Sequence, residues 1–307
     1  MKPIIVFGSI NMDLVTKTPR LPVAGETLKG DVFFTVAGGK GANQAVAAAR
    51  LGIPTQLVGR VGKDEFGHQL LLGLQAAGVQ TDGVVVDETT SSGVAVITVD
   101  DAGENNIIII AGANGQLDAT DVEHLRHRLP GAAALLMQLE IPMPTVQLAA
   151  QLAHSVGVPV ILDPAPAQDI PADLYSLVDI ITPNQLEASQ LVGFPVDDPK
   201  SAAKASTELQ QRGVSTVIVK LGAEGVFCAT SEETFFIPAF PVQALDTVAA
   251  GDAFNGALAA ALAEGRSLRE AVVWGAAAGA ISATQAGAQP SLADRKTFEE
   301  FLNGRGV

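Results

Sequence analysis

The feature that most narrows the fold of this chain is an alternation. Short runs built on an unbroken apolar stretch, such as PIIVFGS, AALLMQ, PVILD and TVIVKLG, are separated by Ala- and Leu-rich stretches with helical spacing. A strand that is apolar throughout, rather than at every second residue, is buried on both faces, and amphipathic helices between such strands supply the cover. The spacing predicts a strand in PIIVFGS, a helix in GANQAVAAARLG ended by Gly52, and a strand in TQLVGRVG. From Ala133 it predicts strand AALLMQ, a helix from Pro144 to Ser155, strands PVILD and DIIT, helices NQLEASQLVG and Ser201 to Arg212, and strand TVIVKLG. The expected class is a three-layer α/β/α sandwich around a mostly parallel sheet. Two stretches break the rhythm: Leu14 to Val36 and Val94 to Ile110 read as strand pairs with Gly, Asp or Asn turns. They predict a small β-sheet lid, inserted in two pieces at about 11–36 and 92–110 of one domain spanning 1–307. From Gly251 onward the pattern is nearly all helix.

Bulk properties limit function. A chain of 307 residues, 48% hydrophobic and 17% charged, can bury a sizeable core. Its net charge of −14 argues against a nucleic-acid partner, which needs clustered Lys and Arg. The one cysteine, Cys228, excludes an internal disulfide and a Cys-based zinc cage and fits a reducing cytoplasm. The first residues, MKPIIVFGSINMD, are too short an apolar run for a signal peptide. VVWGAAAGAISA is too short to span a bilayer and reads as a buried helix, so no membrane role is expected. His68, His124, His127 and His154 lie in polar-flanked helical stretches and are expected at the surface or in packing, and Trp274 in the core.

Several stretches bear chemistry. In DTVAAGDAFNGA, the small residues Ala249, Ala250 and Gly251 precede a helix whose free N–H groups and dipole form an anion site, with Asp252 beside it. The competing reading makes Asp252 an early-helix acid that complements the dipole, and that position predicts a low pKa. In AGGKGANQA, Gly38, Gly39 and Gly41 surround Lys40 just before a helix that also carries Asn43. The stretch matches neither the P-loop nor the dinucleotide fingerprint, and the alternative is a flexible turn with a solvated lysine. Asn11 and Asp13 sit two apart and share one face of an extended segment, which suits a polyhydroxy ligand; an Asx turn competes. Glu140 ends a strand at the carboxyl edge, where open α/β sheets place ligands. Asn184 and Glu187 share a helical face and read either as a hydrated Mg²⁺ site or as a helix cap. Lys220 to Gly225, KLGAEG, follows a strand, and its glycines would let a phosphate chain lie close.

Taken together, these stretches resemble the ribokinase-like carbohydrate kinase family over essentially the whole chain. GSINMD, GGKGANQAVAAARLG, MQLE, DPAPA, DIITPNQLEA, DTVAAGDAFNGALAAAL and GAQPS carry the resemblance, and NMD, GGKGANQ and GAQPS point to its ribose branch. The resemblance implies ATP-dependent phosphorylation of D-ribose at its 5-hydroxyl, with Asp252 as general base and the amides of Ala249, Ala250 and Gly251 as anion hole. It implies that Asn11, Asp13, Gly39, Lys40, Asn43 and Glu140 hold the sugar. Asn184, Lys220, Gly222, Gly225 and Gly251 would hold ATP, and Glu187 would help arrange Mg²⁺. A monovalent cation, K⁺, is implied at Asp246, Val248, Ser282, Gln285, Gly287 and Ser291, and a homodimer through the lid. Ala276 departs from the pattern, standing where relatives can carry a polar residue near the nucleotide base. Other sugar or nucleoside kinases of the family, or a non-catalytic sensor of sugars or nucleotides, are the alternatives. A dinucleotide oxidoreductase is disfavoured by the missing glycine fingerprint.

Overall fold

The computed structural model describes residues 1–306. From the amino end, β1 (Ile4–Phe7) leads into β2 (Asn11–Thr18), β3 (Val32–Gly38), α1 (Lys40–Arg50), β4 (Thr55–Gly62), α2 (Glu65–Ala76) and β5 (Val79–Asp87). β6 (Gly93–Asp100), β7 (Asn105–Ile110), α3 (Ala119–Arg126), β8 (Ala134–Met137), α4 (Met143–Ser155), β9 (Val160–Leu162) and α5 (Ala172–Tyr175) follow. Then come β10 (Ile180–Ile181), α6 (Gln185–Val192), α7 (Pro199–Gln211), β11 (Thr216–Lys220), β12 (Gly225–Ala229) and β13 (Thr234–Pro238). The chain closes with α8 (Ala250–Ala263), α9 (Leu268–Ala283) and α10 (Arg295–Asn303).

Nine strands form the main sheet in the order β13-β12-β11-β10-β9-β8-β1-β4-β5. Every pairing from β5 across to β11 is parallel. Alternate residues of β1 feed two cores: Ile4 and Val6 face the layer with α1, α8 and α9, while Ile5 and Phe7 face the layer with α3, α4 and α7. The expected three-layer sandwich is therefore present, down to the boundaries of most of its elements. The pattern reading did not single out the hairpin β12–β13, which adds two antiparallel strands at one edge. The turn Thr230–Glu233 between them is too short to carry a crossover helix, so the second strand has to return antiparallel.

A second sheet of four strands, β3-β2-β6-β7, stands apart. Its central pair β2–β6 is parallel and its outer pairs are antiparallel. The root of the sheet, at Asn11 and Met12, is buried; Val32, Phe33 and Phe34 toward the far end and Ile107 to Ile110 along the edge strand β7 are exposed.

The four histidines are exposed on or beside α2, α3 and α4. Trp274 is buried in α9 against Phe298, with the Arg266 and Arg295 guanidinium groups over its ring. Among the described residues no helix is long and apolar enough to cross a membrane.

Candidate active site

Strand order reverses around β1: the chain first builds outward through β4 and β5, then through β8 and β9 on the other side. The carboxyl ends of strands at such a switch point open a crevice. Here they deliver Ser9 after β1, Gln138 to Glu140 after β8, and Asp163 after β9.

Into this crevice run two helix starts. α1 begins directly after Gly39, whose φ of 87° and position demand glycine: a Cβ there would lie 2.6 Å from Asn11 N. Gly39 offers no capping side chain, and the need is met from a distance. Glu140 Oε2 accepts the Lys40 N–H at 3.2 Å and the Ser9 hydroxyl at 2.5 Å. α8 starts at Ala250 after Ala249, again with no side-chain cap. The Ala250 N–H reaches Thr247 O at 3.2 Å. Among the described residues the N–H groups of Ala249, Gly251 and Asp252 have no hydrogen-bond partner. Lys220 Nζ stands over this turn, 3.3 Å from where a Cβ on Gly251 would fall, and pairs with Asp163 at 3.0 Å.

α1 and α8 touch closely at Gly256, where a Cβ would strike Ala47 Cβ. That approach brings the side chains of α1 onto Asp252. Asn43 Nδ2 donates to Asp252 Oδ2 at 2.9 Å and Gln44 Nε2 to Oδ1 at 3.0 Å. Gln44 Nε2 also donates to Asp163 Oδ2 at 2.9 Å, while its Oε1 accepts from Gln138 Nε2 at 2.7 Å. Asn43 Oδ1 is buried without a partner.

The low pKa expected of Asp252 is corrected by its surroundings. Burial disfavours its charge and raises the pKa; Lys40 pulls it back, Asp163 adds to the rise, and the two amide donors lower it again, with the net direction upward. A helix start lowers an acid's pKa where the acid is solvated, but here desolvation outweighs the dipole. Burial also opposes the charge of Lys40, yet Asp252, Asp163 and Glu140 around it win and raise its pKa. Asp13 is pushed up to about 7 by burial, then by Glu140 and Asp252. Its carboxylate lies over Gly38, where a Cβ would come within 2.4 Å of Oδ2. Asn11, on the same strand face, holds the Asn114 amide through Oδ1 at 2.7 Å.

Asn184 and Glu187 form a complete capping box at the start of α6. Asn184 Oδ1 accepts the Glu187 N–H at 2.8 Å, and the Asn184 N–H and Nδ2 donate to the two Glu187 oxygens, each at 2.8 Å. Glu187 is buried, which raises its pKa against the pull of Lys220.

Around the loop before α8, Asp246 Oδ2 accepts the Gly287 N–H at 2.8 Å and Oδ1 the Val248 N–H at 3.1 Å. The Ser282 and Ser291 hydroxyls meet at 2.8 Å, and Gln285 N–H bonds Ser282 O at 3.1 Å.

A cleft of about 740 Å³ joins these parts. Lys40, Asp163, Asn184, Glu187, Lys220, Gly222, Gly225 and the α8 start line it, and Val226, Phe240, Ala276, Gly279, Ala280 and Ala283 form an apolar wall. Sequence reasoning missed Ser9, Gln44, Gln138 and Asp163. Asp163 and Gln138 were open to the same carboxyl-edge rule that found Glu140. Gln44 follows Asn43 directly, and no pattern marks a buried amide as distinct from a surface one.

A chain with this architecture and this pair of helix starts matches the pfkB family of carbohydrate kinases over residues 1–295, and it belongs to that family. It is 44% identical over 301 residues to a ribokinase of Haemophilus influenzae, covering 98% of both chains. A Salmonella typhi deoxyribokinase is 36% identical over 301 residues, again with 98% of both chains covered. The structure of Arabidopsis thaliana ribokinase complexed with ribose and ATP superimposes with a TM-score of 0.91 at 36% identity, covering 98% of both chains.

Proposed function

We propose that this chain is an ATP-dependent ribose kinase that transfers the γ-phosphoryl group to the sugar's 5-hydroxyl. The observation that carries the reading is the uncapped start of α8, with three unpartnered N–H groups beside a buried carboxylate held by α1. Such a corner binds a transferring phosphoryl group and the hydroxyl that attacks it at once.

Phosphoryl transfer passes through a loose transition state, so positioning and charge stabilisation carry most of the catalysis. Asp252 accepts the hydroxyl proton as the new P–O bond forms, and its raised pKa makes it a better base than a solvated aspartate. The amides of Ala249, Ala250 and Gly251, with Lys220 above them, stabilise the charge that develops on the phosphoryl oxygens. Lys40 faces the same oxygens or the sugar from the other side. Asn11, Asp13, Gly39, Asn43 and Glu140 form the sugar subsite, and the unpartnered Asn43 Oδ1 is free to accept a sugar hydroxyl. ATP lies along Asn184, Gly222 and Gly225, its base on the apolar wall at Ala276.

Both oxygens of Glu187 already face Asn184 donors, which fits contact with a Mg²⁺ ion through its waters rather than direct ligation. Asp246 with the oxygens of Val248, Ser282, Gln285, Gly287 and Ser291 is an all-oxygen set that fits K⁺. Bound there, these ions would neutralise phosphate charge and stiffen the loop that leads into α8. The small sheet closes over the sugar and excludes water. Its exposed Phe33, Phe34 and Ile107 to Ile110 suit pairing with a second copy.

A coupled ADP-release assay over ribose, deoxyribose, fructose and nucleosides tests the reading. Ribose is expected to give the highest kcat/KM. Preference for deoxyribose, which lacks the 2-hydroxyl, would reassign the substrate within the family; no turnover with any of them would leave a sensor.

A further inference from the structure

Gln44 does not line the cleft, yet among the described residues its amide is the only hydrogen-bonded link between the buried carboxylates of Asp163 and Asp252. One N–H of Nε2 goes to Asp252 Oδ1 at 3.0 Å and the other to Asp163 Oδ2 at 2.9 Å. Its Oε1 is fixed by Gln138 Nε2 at 2.7 Å. Gln44 and Gln138 are both 0% exposed. The three bonds determine which way the amide faces: a flipped Gln44 would aim its oxygen at two carboxylates and its N–H groups at another donor. Gln138 is itself wedged against the backbone leaving β1, where a Cβ on Gly8 would lie 2.1 Å from Gln138 Oε1. Beyond Asp163 the chain of contacts runs on to Lys220, which stands over the α8 start. Gln138, Gln44, Asp163 and Lys220 thus connect the sheet to both sides of the cleft.

We propose that Gln44 is a positioning residue that holds the Asp252 carboxylate in its working orientation and ties it to the Asp163–Lys220 pair beneath the nucleotide. The inference rests on the reading of Asp252 as general base. A glutamine suits the place for a specific reason. Two like charges a single residue apart repel, and one planar amide offers each a donor at a fixed angle while adding no charge. Glutamate there would add a third carboxylate, and an apolar residue would leave two buried oxygens short of donors. Because Gln44 acts through Asp252 and does not meet substrate, its loss falls on turnover and leaves binding alone.

The test is steady-state kinetics with ribose and ATP on Gln44→Met and Gln138→Met. For Gln44→Met, kcat is expected to fall about 10- to 100-fold, the scale of a misplaced reacting group, with both KM values within about threefold. The acidic limb of its kcat–pH profile should move to higher pH. Asp252 loses a donor there, while Lys40 from α1, Asp163 after β9, Lys220 from β11, Asp13 from β2 and Glu140 after β8 still face the corner. Gln138→Met keeps both donors and loses only the lock on the amide, so the same changes are expected at about three- to tenfold. Wild-type kcat and pH profile in both variants would overturn the proposal, as would raised KM values with kcat intact. If Gln44→Met fails to fold, judged by lost ATP binding in calorimetry, Gln138→Met decides alone by the same readings. Asp252→Ala measured in parallel separates the two claims. Turnover surviving that change defeats the base reading, whereas an inactive Asp252→Ala beside a wild-type-like Gln44→Met defeats only the role of Gln44.

Discussion

Two helix starts open onto the same cleft and are finished in opposite ways. At α6, Asn184 and Glu187 close a reciprocal box, so the early N–H groups and the carboxylate satisfy one another. At α8, Ala249 can cap nothing, the amides are left open, and the nearby carboxylate is held by another helix instead. Asp64, Asp118, Asp198, Ser267 and Asp294 cap α2, α3, α7, α9 and α10 in the ordinary way. α4 and α5 also start without a side-chain cap, after Pro142 and Pro171, and α1 takes its cap from the distant Glu140; at α8 the open donors line the cleft beside a buried carboxylate. The comparison separates a helix start whose donors are closed by its own side chains from one whose donors are left open to the cleft.

The comparison can be broken from either side. The largest effect is expected for Asp252→Ala, which should lower kcat about 10³-fold or more while ATP binding in calorimetry stays near wild type. Ala249→Ser would turn the α8 start into one like α6. A capping hydroxyl should raise stability by about 0.5 kcal/mol in denaturant melts and reduce kcat about tenfold by competing for the anion hole. Asn184→Ala does the reverse at α6, costing about 1 kcal/mol in the same melts and raising the KM for ATP, with kcat within about threefold. A further effect is a pH dependence at Asp13. Its folded pKa of about 7 lies above the ordinary value of 3.8, so the folded state holds the proton more tightly. Stability is therefore lost as pH rises from about 4 to about 7 and the loss levels off above that. Asp13→Asn should accordingly gain thermal stability over wild type at pH 8 but not at pH 4, as read by paired melting curves.

Much of this was legible in the chain itself. The sandwich follows from strands such as Ile4–Phe7, apolar throughout, because their periodicity reports burial directly. The small sheet follows from the loss of that rhythm between Asn11 and Gly38 and between Gly93 and Ile110. Lys40 and Asp252 stood out because glycines and helix starts mark places where backbone is exposed to a ligand, whereas the proposed cation loop of Asp246, Val248, Ser282, Gln285, Gly287 and Ser291 came only from the resemblance to the family. What stayed hidden depends on pairs far apart in sequence. The pKa of Asp252 is set by burial beneath α1, and the cap on α1 comes from Glu140, 100 residues away. Gln44 acquires meaning only once α1, α8 and the ends of β8 and β9 meet, whereas Gln138 and Asp163 sit at the strand ends where the rule that found Glu140 applies equally. For Asn184 and Glu187 the capping reading is met, and the cap faces the cleft where the proposed Mg²⁺ would sit.

The contact at Gly256 also bears on how such an enzyme can change. With a Cβ there 2.4 Å from Ala47 Cβ and 2.8 Å from Gln44 O, no larger residue fits without parting α1 from α8. Those helices carry Lys40, Asn43 and Gln44 on one side and Asp252 on the other, so their spacing is effectively frozen. Diversification toward a new acceptor is then channelled away from the proposed reacting corner and into β2, where the proposed sugar contacts Asn11 and Asp13 lie on the separate small sheet. A laboratory evolution experiment selecting for another pentose should collect its changes along β2 and β6 and leave the helix pair untouched.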